Sequence, residues 1–150
     1  AGVGASLSAL AHLKEAAAKR NKAGRPLLDD PYFAARVARV EISLENMITT
    51  NLRVLASVAG GGVPGAESSL LKIQGTVIYQ EITSLLRRAM GNIAAPYYPD
   101  ASETGFNGPF AGPEAAVHAA GDYFNHRKLS IFGGSNEIQR NIVSKAMLGL

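Results

Sequence analysis

The chain has no cysteine and no tryptophan, and aromatic residues make up only 7% of its 150 residues. Without thiols there is no disulfide framework, no cysteine-ligated zinc and no thiol catalysis, and the expected compartment is a reducing one, the cytoplasm. Long apolar runs are also missing. The most hydrophobic stretch, "VLASVAGGGV" at 54–63, is shorter than the ~18 residues of a membrane span and ends in glycines, so no membrane partner is expected. The first ten residues, "AGVGASLSAL", have neither the basic start nor the long apolar segment of a signal peptide. Charge of one sign is scarce as well: Lys and Arg number 15 against 12 Asp and Glu. Basic clusters at Lys19, Arg20, Lys22 and Arg25, and at Arg87 and Arg88, lack interleaved aromatics, so nucleic acid is not an expected partner. No segment alternates with period two, which removes the signal for strands.

What remains is a 47% apolar chain of the right size for one domain spanning 1–150, patterned for helices. Residues 3–22 place Val3, Leu7, Leu10 and Ala17 on one stripe that ends before Gly24 and Pro26. Asp30 and Pro31 form the expected cap and first residue of a long second helix. Its seam runs through Val37, Val40, Leu44, Met47, Val54 and Val58, with Asn51 interrupting it as a register device or a satisfied amide. After "GGGVPG", a third helix from about 66 to 91 turns Leu71, Ile78, Ile82, Leu85 and Ala89 inward, and carries Gly75 mid-helix for close helix contact. The stretch at 92–114 is irregular, rich in Pro, Gly and aromatics, and of a length that usually carries function or packs over something. Residues 114–130 read as a fourth helix, and 135–148 as a last one with Ile138, Ile142 and Ala146 inward. The expected fold class is all-α: an up-and-down four-helix-type bundle with an additional C-terminal helix.

Few residues carry a chemical signal. Gly60, Gly62 and Gly65 match G-x-G-x-x-G, but they follow a helix where a dinucleotide fold needs a strand, so they read as a turn. His118, Asp122 and His126 recur every four residues on one helix face, and without a second cluster they read as a solvated face, not a metal site. His12 reads as a partly buried, hydrogen-bonded histidine. Ser135 lacks the G-x-S-x-G elbow and its leading strand, so acyl-transfer catalysis is not expected. The segment "IFGGSNEIQRNI" at 131–142 is different. Gly133 and Gly134 allow close backbone approach directly before a helix whose first N–H groups are unpaired, an arrangement that can hold an anion or a polar ligand edge. The plainer reading is a capped helix, with Ser135 as the cap and Glu137 in a loose capping box.

"IFGGSNEIQRNIVSKAMLGL" resembles the C-terminal signature of the acyl-CoA dehydrogenase family, flavoenzymes that oxidise acyl-CoA thioesters to 2,3-enoyl-CoA. "RNKAGRPL" is similar to the family's Arg-x-x-Phe-Gly-x-x-Leu at the end of its first bundle helix. The resemblance covers the chain from end to end but only the family's C-terminal bundle, without its N-terminal helical and middle β domains. It implies an FAD cofactor, an acyl-CoA substrate, an electron-transferring flavoprotein as redox partner, and a homo-oligomer, dimer or tetramer. By the same resemblance Arg20 reaches the flavin diphosphate across a subunit interface, Ser135 and Glu137 contact the cofactor, and Phe132 and Gly133 meet the substrate. The Gly133 N–H would then donate to the thioester oxygen in the manner of an oxyanion hole. Two departures stand out. Ala23 replaces the usual Phe, a ring that relatives pack on the flavin. Gly133 occupies the position where one branch of the family carries its catalytic Glu, so no catalytic residue is assigned here. Other branches supply that Glu from early in the first bundle helix, at a place upstream of Ala1, and Glu15 lies too far along α-helical rise to replace it. The expected function is therefore the bundle of a flavin-dependent acyl-CoA dehydrogenase, inactive by itself. The alternative is a non-catalytic bundle subunit of a heteromeric complex.

Overall fold

The computed structural model describes residues 2–19, 21–22, 24–110 and 112–149. Arg20, to which the family resemblance gives the flavin-diphosphate contact, and Ala23, which stands where relatives carry Phe, lie outside the described residues. The expected all-α bundle forms from five helices: α1 (Val3–Lys19), α2 (Pro31–Ala59), α3 (Glu67–Met90), α4 (Glu114–Asn125) and α5 (Asn136–Leu148). α1 ends three residues earlier than its apolar stripe suggested. A minimal antiparallel ribbon follows, β1 (Asn21–Lys22) pairing with β2 (Arg25–Pro26), and Gly24 takes φ +79° where the chain reverses. One carboxylate oxygen of Asp30 then accepts from the N–H groups of Tyr32 at 3.0 Å and Phe33 at 3.1 Å, with Pro31 as the first residue of α2. This start was readable because all its parts are local. The glycine run is the expected turn: Gly60 closes α2, Gly61 takes φ +87°, and the Gly62 N–H donates to the Ser57 carbonyl at 2.9 Å.

α3 is the hub, packing against each of the other four helices. Its buried Ile78, Ile82, Leu85 and Ala89 meet Leu10, Leu13 and Ala17 of α1 and Val37, Val40, Leu44 and Met47 of α2. Each large side chain in this cluster contributes about 1.5–3 kcal/mol by leaving water. A second cluster joins Met90 and Ala94 to Ala116 and Ala119 of α4, whose small side chains let α4 lie close to α3. The fourth expected helix stops at Asn125 and tightens into a 3-10 turn over His126–Ser130.

Two expectations about buried faces are corrected. The α2 seam is buried only as far as Met47; beyond it Val54 is half-buried and Val58 is exposed. On α5 the residues expected to point inward, Ile138, Ile142 and Ala146, are exposed. That helix instead turns Asn136, Gln139 and Val143 toward the bundle, a face rotated by roughly 100°. The physical reason is a polar anchor: the Lys72 ammonium on α3 donates to the Asn136 side-chain oxygen at 2.8 Å, and Asn136 is buried. No described helix is long and apolar enough to cross a membrane.

Candidate functional site

The segment before α5 is held in place by side chains of α3. Gln80 donates from its amide nitrogen to the carbonyls of His126 at 3.0 Å and Arg127 at 3.1 Å, while the Arg127 guanidinium donates to the Gln80 carbonyl at 2.8 Å. Two guanidinium groups lie over the Tyr123 ring, Arg87 at 4.7 Å and Arg127 at 4.6 Å from its centre. These contacts fix the turn at 126–130, and with it the entry into residues 131–137.

That entry is an open tip. Phe132, Gly133 and Gly134 are exposed, Ser135 is half-buried, and the Lys128 ammonium stands 5.5 Å over the Phe132 ring. Gly133 and Gly134 both have positive φ, +68° and +81°, so two successive residues sit in left-handed backbone that side-chain-bearing residues disfavour. Gln139 reaches back from α5 and donates to the Gly133 carbonyl at 3.1 Å. A Cβ on Gly133 would meet open space, whereas one on Gly134 would come within 2.7 Å of the Gln139 amide nitrogen. The role of Gln139 as a latch was missed from the sequence, although it is the Gln of the Ile-Gln-Arg motif.

Ser135 caps α5: its hydroxyl accepts from the Ile138 N–H at 3.4 Å. Glu137 folds its carboxylate onto the same helix start, where its own backbone N–H and then the Ser135 hydroxyl hold its pKa below the usual carboxylate range, with Arg140 and Lys72 adding attraction. The Arg140 guanidinium stands 3.5 Å from it. The tip therefore offers the backbone N–H groups of a glycine pair, a hydroxyl, and one carboxylate that accepts hydrogen bonds. It carries no carboxylate at Gly133. The geometry shows the capped helix.

A cleft lies elsewhere on the bundle. It encloses about 730 Å³ between α1, α3 and α4, with His12, Glu15 and Lys19 on one wall and Glu114, His118 and Asp122 on the other. Met90 lies at its floor and Lys72 at the α5 tip, which places the two features about 27 Å apart along α3, at about 1.5 Å per residue. His12 is exposed on the cleft rim, not partly buried as expected. His118 and Asp122 also stand on the rim, while the His126 ring turns to the Tyr79 edge at 4.7 Å and its Nδ1 lies 2.6 Å from the Asp122 carbonyl. Burial, with the nearby Asp122 charge, pushes the Tyr79 phenol pKa up. Among the described residues no group of three His, Asp or Glu side chains is placed to hold a metal ion.

A family model described as the C-terminal domain of acyl-CoA dehydrogenase matches residues 1–148. The chain belongs to the acyl-CoA dehydrogenase family. No curated protein matches it. Among solved structures, the ChsE4-ChsE5 complex from Mycobacterium tuberculosis is similar at 28% identity and a TM-score of 0.72, with 99% of this chain covering 36% of that one. The FAD complex of PigA shares the fold at 18% identity and TM-score 0.77, over 99% of this chain and 34% of that one. Butyryl-CoA dehydrogenase from Megasphaera elsdenii does so at 17% identity and TM-score 0.70, over 97% and 33% respectively. This acyl-CoA dehydrogenase bundle thus spans about a third of the length of the solved structures it matches.

Proposed function

We propose that the chain is the C-terminal bundle of a flavin-dependent acyl-CoA dehydrogenase that converts an acyl-CoA thioester to the 2,3-enoyl-CoA, with the bundle contributing FAD contacts and subunit contacts. The observation that carries this reading is the tip at 132–137, with its positive-φ glycine pair placed directly before a capped helix start, in a chain matched by the family model over 148 residues. The residues present fit the polar edge of a flavin nucleotide more than its diphosphate. Glu137 already supplies negative charge to the start of α5, so hydroxyl and ring N–H donors of the cofactor suit Ser135 and Glu137 and its phosphates do not. The diphosphate is assigned to Arg20, whose planar guanidinium can donate to two phosphate oxygens at once. FAD, when bound, supplies the two-electron acceptor.

This chain's own part in the reaction is positioning and charge stabilisation. Gly133 donates its N–H to the thioester oxygen, where enolate charge develops, and Phe132 lines the same side. The proton is removed by a carboxylate from outside the tip. Reoxidation falls to an electron-transferring flavoprotein, and the bundle by itself is inactive. Retention of FAD by a protein that carries this bundle with the family's other two domains tests the assignment: Arg20→Ala lowers flavin occupancy in its absorption spectrum, and unchanged occupancy refutes it.

The alternative is a non-catalytic subunit in a heteromeric complex. It is favoured by one observation: the only carboxylate at the tip, Glu137, folds back onto its own helix. Bound flavin that no acyl-CoA bleaches supports that alternative over the catalytic reading.

A further inference from the structure

α1 and α4 both pack on α3, and the cleft between them is a trough that reaches down to the buried interior. Its main void of about 730 Å³ joins a smaller one of about 280 Å³ toward Ala5 and Ser8, and the two share His12, Leu86 and Asp122. From Ser8 to Lys19 the trough runs about 16 Å along α1. Those dimensions suit a small molecule, whose sites ordinarily enclose about 300–1,000 Å³.

The floor of the trough is apolar. Ile82 and Met90 are buried, Leu86 is half-buried, and α1 presents only the small side chains of Ala9 and Ala16 beside them. The polar groups above the floor are unevenly paired. On the α1 wall Lys19 is bonded to Glu15, so those two charges offset each other. On the α4 wall the carboxylates of Glu114 and Asp122 form no hydrogen bond or ion pair with another described residue. The Asp122 charge is felt inside the smaller void, where burial and then that charge push up the pKa of the half-buried Tyr79 phenol. The Tyr79 hydroxyl likewise has no hydrogen-bond partner among the described residues. A carboxylate without a counter-charge, a free hydroxyl and an apolar floor are complementary to one ligand chemistry, a positive head on an apolar body. An anion would be repelled by Glu114 and Asp122, and an uncharged body would leave both carboxylates without a partner.

We infer that the trough between α1 and α4 binds a small organic cation, an alkylammonium or arylalkylammonium, with its head at Asp122 beside Tyr79 and its body over Leu86 and Met90. The site involves neither the α5 tip nor Arg20 and needs no flavin. It therefore goes beyond the proposed function, and its failure and the failure of the flavin assignment are separable.

The test is a titration of the isotope-labelled, flavin-free chain with hexylammonium, read by amide NMR. Saturable shifts at Glu15, Ala16, His118 and Asp122 are expected, with a Kd of about 1–10 mM. 1-Hexanol and hexanoate keep the body and change the head, and each should bind at least about threefold more weakly. This ligand series uses the unaltered chain, so it stands whatever a variant does to folding. Asp122→Asn, at an exposed position that should keep its helical circular dichroism, weakens hexylammonium at least about threefold and leaves 1-hexanol unchanged. Glu45→Gln removes the same charge from the exposed face of α2 and should leave the affinity as it was. Absence of saturable shifts at those four amides up to about 50 mM overturns the inference. So does 1-hexanol binding as tightly as hexylammonium, which would leave only an apolar groove. Equal losses from Asp122→Asn and Glu45→Gln would replace a built site with diffuse charge. Shifts of the same amides when the ligand-free chain is diluted would put a second copy in the trough and equally overturn the proposal.

Discussion

Substituting alanine at Gly134 should cost more than the same change at Gly133, and the difference should vanish when Gln139 is removed. Both glycines hold left-handed backbone, φ +68° and +81°, so each alanine carries a conformational penalty of about 1–2 kcal/mol. At Gly133 nothing else stands in the way. At Gly134 the new Cβ arrives 2.7 Å from the Gln139 amide nitrogen, the atom that donates to the Gly133 carbonyl at 3.1 Å. Glutamine has a flexible end and will move, at the cost of that hydrogen bond, about 0.5–1.5 kcal/mol. Gly134→Ala should therefore destabilise by roughly 2–3 kcal/mol in total. Gln139→Ala alone loses the bond and nothing more. Because Gly134→Ala and Gln139→Ala remove the same interaction, the double variant should be less destabilised than the sum of the singles by about 1 kcal/mol. Urea unfolding measures all four proteins of the cycle, and amide exchange at Ile138 and Gln139 reads the same loss locally. Additivity to within about 0.3 kcal/mol, or equal costs at the two glycines, would refute the latch.

Three further outcomes follow from the geometry. Leu85→Ala, at a fully buried position of α3, should destabilise by about 2–5 kcal/mol in urea; less than 1 would mean that the core collapses around the gap. Asp30→Ala removes the acceptor of two N–H groups at the start of α2 and should cost about 1–2 kcal/mol, largely recovered by Asp30→Ser and measured by the same unfolding curves. The Glu137 carboxyl titrates below its ordinary value in the folded chain, so its contribution to α5 is present above the unfolded carboxylate pKa and disappears as pH falls through the folded one. Ser135→Ala should raise that titration in carboxyl-resolved NMR, and an unmoved midpoint would remove the hydroxyl as a cause.

The parts of this fold that could be read from the sequence are those whose causes are local. Asp30 and Pro31 announce the start of α2 within three residues of chain, and Ile78, Ile82, Leu85 and Ala89 repeat at helical spacing on the face that is in fact buried. The acyl-CoA dehydrogenase signature, likewise, is a contiguous string. What could not be read is which apolar face a helix spends on its own chain. Ile138, Ile142 and Ala146 form a clean stripe, yet α5 docks through Asn136 because Lys72, 64 positions away, offers its amide oxygen a charged donor. Periodicity marks a face that wants cover without saying whose atoms provide it. The glycine pair at the tip was visible, but the Gln139 latch was not, since it depends on a side chain folding back over six residues. His12 was misjudged for a related reason: its alanine neighbours suggested burial, while α1 turns that position to the cleft rim.

The position of α3 at the centre has a consequence for motion. α1 and α2 share one apolar cluster with it, while α4 shares a smaller one and α5 is tied down mainly by polar contacts. Loosening of the C-terminal third would therefore leave the apolar cluster shared by α1, α2 and α3 intact, so whatever grips the glycine tip bears on the smaller cluster and on the polar ties to α3 rather than on the main core.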